Sequence, residues 1–120
     1  MSRNNKPAYL NVPNDRRTWV ILDNYPLRLK LMQSFVMLLE EVRKNPAKYQ
    51  NIPGPYFSLI RKHSGVSNRT ALVNLNQLEK EGTIKHHDVI YEVGGRKQIV
   101  KVYEPTLDME YYDWLKDVKF

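Results

Sequence analysis

The chain contains no cysteine, which excludes disulfide scaffolds, thiolate metal sites and thiol nucleophiles. No apolar run reaches the roughly 18 residues that a membrane-spanning helix needs. Glycine is scarce, at five residues, and the Gly94-Gly95 pair lacks the G-x-x-x-x-G-K context of a phosphate-binding loop. No serine lies in a G-x-S-x-G elbow. The adjacent carboxylates Glu40 and Glu41 point away from each other on a helix, which does not suit paired acid–base work. These absences argue against an enzyme and against any cofactor. The polar start Met1-Ser2-Arg3-Asn4-Asn5-Lys6 has no apolar stretch of a secretory signal. The expected setting is therefore cytoplasmic, with no membrane association.

What is present is enough for one domain. The chain has 120 residues, 42% apolar and 11% aromatic, a composition that can build a core and excludes wholesale disorder. The formal charge is +6, from 19 basic against 13 acidic residues, and it is unevenly spread. Residues 1–65 carry eleven basic and four acidic side chains, a net +7, whereas 105–120 carry two and four, a net −2. A basic front suits a polyanion.

Periodicity lays out the elements. Residues 1–17 read as a basic arm, with Arg3, Lys6, Arg16 and Arg17, and Thr18–Leu22 as a strand of β-branched and aromatic residues. Leu31, Phe35, Leu38, Leu39 and Val42 form one helical stripe over 27–44, stopped by Pro46. Met32 and Val36 widen that stripe, so a second element or a second subunit is expected against it. Pro55 starts a helix to about His63, Gly65 makes a tight turn, and Ser67 is placed to cap a helix that ends at Gly82. On that helix Ala71, Leu75 and Leu78 share one face; Arg69, Val73, Asn76 and Lys80 share the other. A type I′ turn at Gly94-Gly95 predicts a hairpin over 83–103 in which opposed residue numbers sum to 189. Glu92 then faces Lys97 and Asp88 faces Lys101, and Arg96 and Lys97 sit at the tip. Leu107, Tyr111, Trp114, Leu115 and Val118 predict an amphipathic helix over 106–118. The fold class is thus α+β, mostly helical.

The stretch Val66-Ser67-Asn68-Arg69-Thr70-Ala71, with Leu75, Leu78-Glu79-Lys80-Glu81-Gly82 and Ile84, resembles the recognition-helix signature of winged-helix regulators of the GntR and MarR kinds. Tyr103-Glu104-Pro105-Thr106 is similar to the close of the wing in MarR- and PadR-like proteins. The resemblance covers residues 55–106. It implies a winged helix-turn-helix with the helix-turn-helix at 55–81 within a single domain of 18–120, and sequence-specific binding of double-stranded DNA by a small transcriptional regulator, with nucleoid association in the cytoplasm.

Carried onto this chain, the resemblance implies DNA contacts at Ser67, Asn68, Arg69 and Thr70 in the first turn of the recognition helix, where helix N–H groups attract phosphate. Val73, Asn74 and Gln77 would reach bases in the major groove, and Arg96 and Lys97 would meet the minor groove or phosphates. The expected partner besides DNA is a second copy, through helix 27–44, helix 106–118 or both. Leu72 departs from the pattern, standing where such regulators place a polar contact. With Val73 it favours an alternative reading, a winged-helix adaptor that binds protein; a shortage of base-reading side chains favours another, a non-specific architectural DNA binder. His63, His86 and His87 do not form a metal set, because His86 and His87 lie on opposite strand faces.

Overall fold

A computed structural model describes residues 12–120. In chain order it contains α1 (Arg16–Leu22), α2 (Leu27–Lys44), a 3-10 turn at Pro46–Tyr49, α3 (Phe57–Ser64), α4 (Asn68–Lys80), β1 (Ile84–Val93), β2 (Arg96–Pro105) and α5 (Met109–Lys116). The class is α+β, with the two strands paired as an antiparallel hairpin.

Helix α2 is the axis of the core. Leu31, Phe35, Leu38, Leu39 and Val42 are buried, as the stripe predicts, and so are Leu29, Met32 and Val36. The extra width is covered by the chain itself, because α1, α3, α4 and α5 all pack on α2. Tyr112, Trp114, Leu115 and Val118, on and just beyond α5, are buried in the same way. The width of these faces is thus accounted for within the chain, and it lends no support to the expected dimer through helix 27–44 or helix 106–118. Each large side chain is worth about 1.5–3 kcal/mol when buried, and here the intramolecular core takes that stabilisation.

The segment expected as a strand, Thr18–Leu22, is helical. Asp15 caps α1, its Oδ1 accepting from the Arg17 N–H at 2.7 Å. Thr18 and Ile21, three apart, face the core, and the segment pairs with neither strand of the hairpin. Tertiary packing overrides β propensity. The expected arm to residue 17 is shorter accordingly: Arg16 and Arg17 open α1, and Val12 packs on the core. Residues 1–11, with Arg3 and Lys6, lie outside the described residues.

The hairpin has the expected register, with Glu92 opposite Lys97, Ile90 opposite Ile99 and Asp88 opposite Lys101. Gly94 and Gly95 take φ of +59° and +77°, the left-handed pair that a type I′ turn requires. A feature not foreseen joins the sheet at its base. Tyr56 bridges antiparallel to Val102, and the Tyr103 N–H donates to the Pro55 carbonyl at 2.9 Å. Pro55 therefore lies before α3 instead of opening it.

Helix α5 starts at Met109, later than the expected 106, because the residues ahead of it form a clasp. The N–H groups of Thr106 and Leu107 donate to Tyr112 Oη at 3.0 and 3.3 Å. That hydroxyl donates to the Thr83 carbonyl at 2.9 Å, and Thr106 Oγ1 donates to the Gly82 carbonyl at 2.8 Å. The entry to the hairpin is thereby tied to its exit.

Candidate nucleic-acid interface

The α3–α4 pair is set by its turn. Gly65, at φ +74°, ends α3 with its N–H on the Arg61 carbonyl, and Val66 is buried beneath the turn. Ser67 takes the extended backbone of an N-cap, but its hydroxyl makes no capping bond. The position is as the sequence predicts and the bond is not. At the other end, the Gly82 and Thr83 N–H groups donate to the Glu79 and Leu78 carbonyls, each at 3.0 Å, the double closure that a glycine beyond the helix end permits.

Burial of Ala71, Leu75 and Leu78 turns the opposite face of α4 outward. Ser67, Asn68 and Arg69 are exposed at its start, and Asn76, Gln77 and Lys80 further along. Thr70 is half-buried. Val73 is 59% exposed and Leu72 38%.

Asn74 departs from the expectation. It is only 6% exposed, and both ends of its amide are engaged. Its Nδ2 donates to the Thr70 carbonyl at 2.9 Å, while its Oδ1 accepts from Arg28 Nε at 3.1 Å and Asn24 Nδ2 at 3.4 Å. It points at the α1–α2 turn and not at a ligand. Arg28 is held in turn by the Val20 carbonyl at 3.1 Å. Arg16 reaches Glu81 at 3.2 Å, so α1 lies beside α4 and runs against it. Sequence reasoning missed Asn24 as a neighbour of α4; Tyr25, next to it in the chain, is 51% exposed. Nothing local to either segment signals that contact.

The charges are unevenly distributed along the chain. From Val42 to Leu78 the sequence has no acidic residue, and it carries Arg43, Lys44, Lys48, Arg61, Lys62 and Arg69. Among the described residues Arg69, Arg96 and Lys97 form no ion pair. The two acidic residues that follow are occupied, Glu79 by His86 at 2.6 Å and Glu81 by Arg16. Arg96 and Lys97 are exposed at the hairpin tip, about 30 Å from its base by strand rise. Helix α5, on α2, carries exposed Glu110 and Asp113, with exposed Asp117 just beyond its end.

The histidines are individually engaged: His63 Nδ1 with Ser34 Oγ at 2.8 Å, His86 with Glu79, His87 with Glu104. Among the described residues no three His, Asp or Glu side chains gather as a metal site, and no helix is long and apolar enough to cross a membrane. No protein-family model, curated protein or solved structure matches this chain.

Proposed function

We propose that the protein binds double-stranded DNA as a winged helix, with the outer face of α4 in the major groove and the hairpin tip on the flanking groove or its phosphates. The observation that carries this reading is the outer face of α4. It presents Asn68, Arg69, Asn76, Gln77 and Lys80 to solvent with no free carboxylate, within a stretch of 37 residues, 42–78, that has no acidic side chain. Arginine and glutamine are suited to guanine and adenine edges, and the N-terminal turn of α4 is suited to phosphate. A role as a small transcriptional regulator follows if the reading is sequence-specific.

The withdrawal of Asn74 into the core supports a second reading, a non-specific architectural DNA binder, because it leaves fewer side chains to discriminate bases. The test is fluorescence-anisotropy titration of a random duplex pool at two salt concentrations, with sequencing of the bound fraction. Salt-sensitive binding that enriches a motif supports the regulator; salt-sensitive binding without enrichment supports the architectural protein. Absence of binding at low salt overturns both and directs the search to a protein partner for Leu72 and Val73.

A further inference from the structure

The hairpin is a long lever held only near its base. Its buried side chains are Ile84, Val102 and Tyr103; further out, Asp88, Ile90, Glu92, Lys97, Gln98 and Ile99 are exposed. With a reach of about 30 Å, a swing of about 10° at the base moves the tip by about 5 Å, enough to break a phosphate contact. Beyond the clasp at its root, two devices oppose such a swing. On the β2 side, the Tyr103 N–H holds the Pro55 carbonyl, and Val102 packs so closely on Gly54 that a Cβ there would lie 3.0 Å from Val102 Cγ1. On the β1 side, a single pair makes the hydrogen bonds to α4. His86 Nδ1 donates to Glu79 Oε1 at 2.6 Å, with Oε2 at 2.8 Å, and the His86 backbone N–H donates to Oε2 at 3.3 Å. Among the described residues no hydrogen bond joins β1 to α4 nearer the tip than this one, while on the β2 side the Tyr56–Val102 bridge lies one register step further out.

The placement of Glu79 is otherwise unfavourable. A carboxylate in the last turn of a helix opposes the helix dipole, and it is the only acidic residue within α4. It lies about 80° around the helix from Arg69, on the flank that meets the hairpin.

We infer that Glu79 and His86 are positioning residues that fix the angle between the hairpin and α4, so that Arg96 and Lys97 meet the same duplex as Arg69. The inference rests on the DNA-binding reading, so its mechanical half is tested without DNA. Because the chain has no cysteine, spin labels at Asn76→Cys and Gln98→Cys in the full chain report the helix-to-hairpin distance alone. A single narrow distribution is expected. His86→Ala broadens it, and His86→Asn, whose amide nitrogen takes the place of Nδ1, keeps it narrow. An unchanged distribution in His86→Ala overturns the inference whatever the DNA result. On a duplex that the parent chain binds, His86→Ala lowers affinity several-fold, and this loss vanishes in a chain already carrying Arg96→Ala and Lys97→Ala. An equal loss in both backgrounds marks a merely structural role and overturns it. Broadening in a chain that binds no duplex refutes the DNA reading and the duplex half of the inference, and supports the anchoring of the hairpin.

Discussion

Arg28 Nε donates to Asn74 Oδ1 at 3.1 Å across 46 residues of sequence, and this bond takes Asn74 out of the candidate interface. Arg28 is itself largely enclosed, with its side chain 13% exposed beside Asp23. Removing the amide leaves a guanidinium and the Thr70 carbonyl short of partners. Asn74→Ala should therefore destabilise the fold by about 1–3 kcal/mol in urea denaturation, while DNA affinity under folding conditions stays within about twofold. A loss of affinity with unchanged stability would return Asn74 to the interface.

The boundary between legible and hidden features follows the range of the interactions involved. The hairpin register could be read because the Gly94-Gly95 turn and the period of two both act locally. Helix α2 could be read because its stripe and Pro46 lie within one segment. Helix α1 was hidden because Thr18, Trp19, Val20 and Ile21, all β-branched or aromatic, look like a strand until their packing on the core is known. The width of the α2 stripe announces burial but not by what; four helices of the same chain cover it as well as a second copy would. In the candidate interface, Arg69 and Gln77 are where the helical period puts them. Asn74 sits at the margin of the buried face, and the residue that claims it lies on another helix.

Two buried tyrosines separate hydrogen-bonded from unbonded hydroxyls. Tyr112 Oη serves Thr83, Thr106 and Leu107, whereas Tyr103 Oη is buried without a partner. Tyr112→Phe should cost about 2–3 kcal/mol, since it leaves the buried Thr83 carbonyl and two part-buried N–H groups without this partner. Tyr103→Phe should be neutral or stabilising by about 1 kcal/mol. Thermal unfolding of the two variants side by side is the check, and the opposite ranking would refute the clasp.

The same phenol governs alkaline stability. Burial, aided by the Glu79 carboxylate, pushes the Tyr103 hydroxyl well above its ordinary value of 10.0. The unfolded chain releases this proton near pH 10 while the folded chain keeps it, so stability is full below pH 10 and falls as pH rises beyond it. Tyr111 is also raised by burial and adds to the slope. Urea midpoints measured between pH 8 and pH 11 should fall in the parent chain and fall less in Tyr103→Phe. Equal slopes would mean that the ring is open to water.

Arg69 and the hairpin tip should give different signatures if both touch DNA. Arg69→Ala removes a side chain able to grip guanine from two donors, so it should cost about 1–3 kcal/mol on a selected site and relax specificity there. Arg96→Ala combined with Lys97→Ala removes two exposed charges placed to meet phosphates. Affinity should fall on every duplex alike, and the slope of log K against log salt should flatten by about 1 to 2. Neither change touches a buried partner, so unfolding midpoints should stay put. A preserved salt slope in the double variant would remove the tip from the interface, and Arg69→Ala binding as tightly as the parent would remove α4 from the major groove.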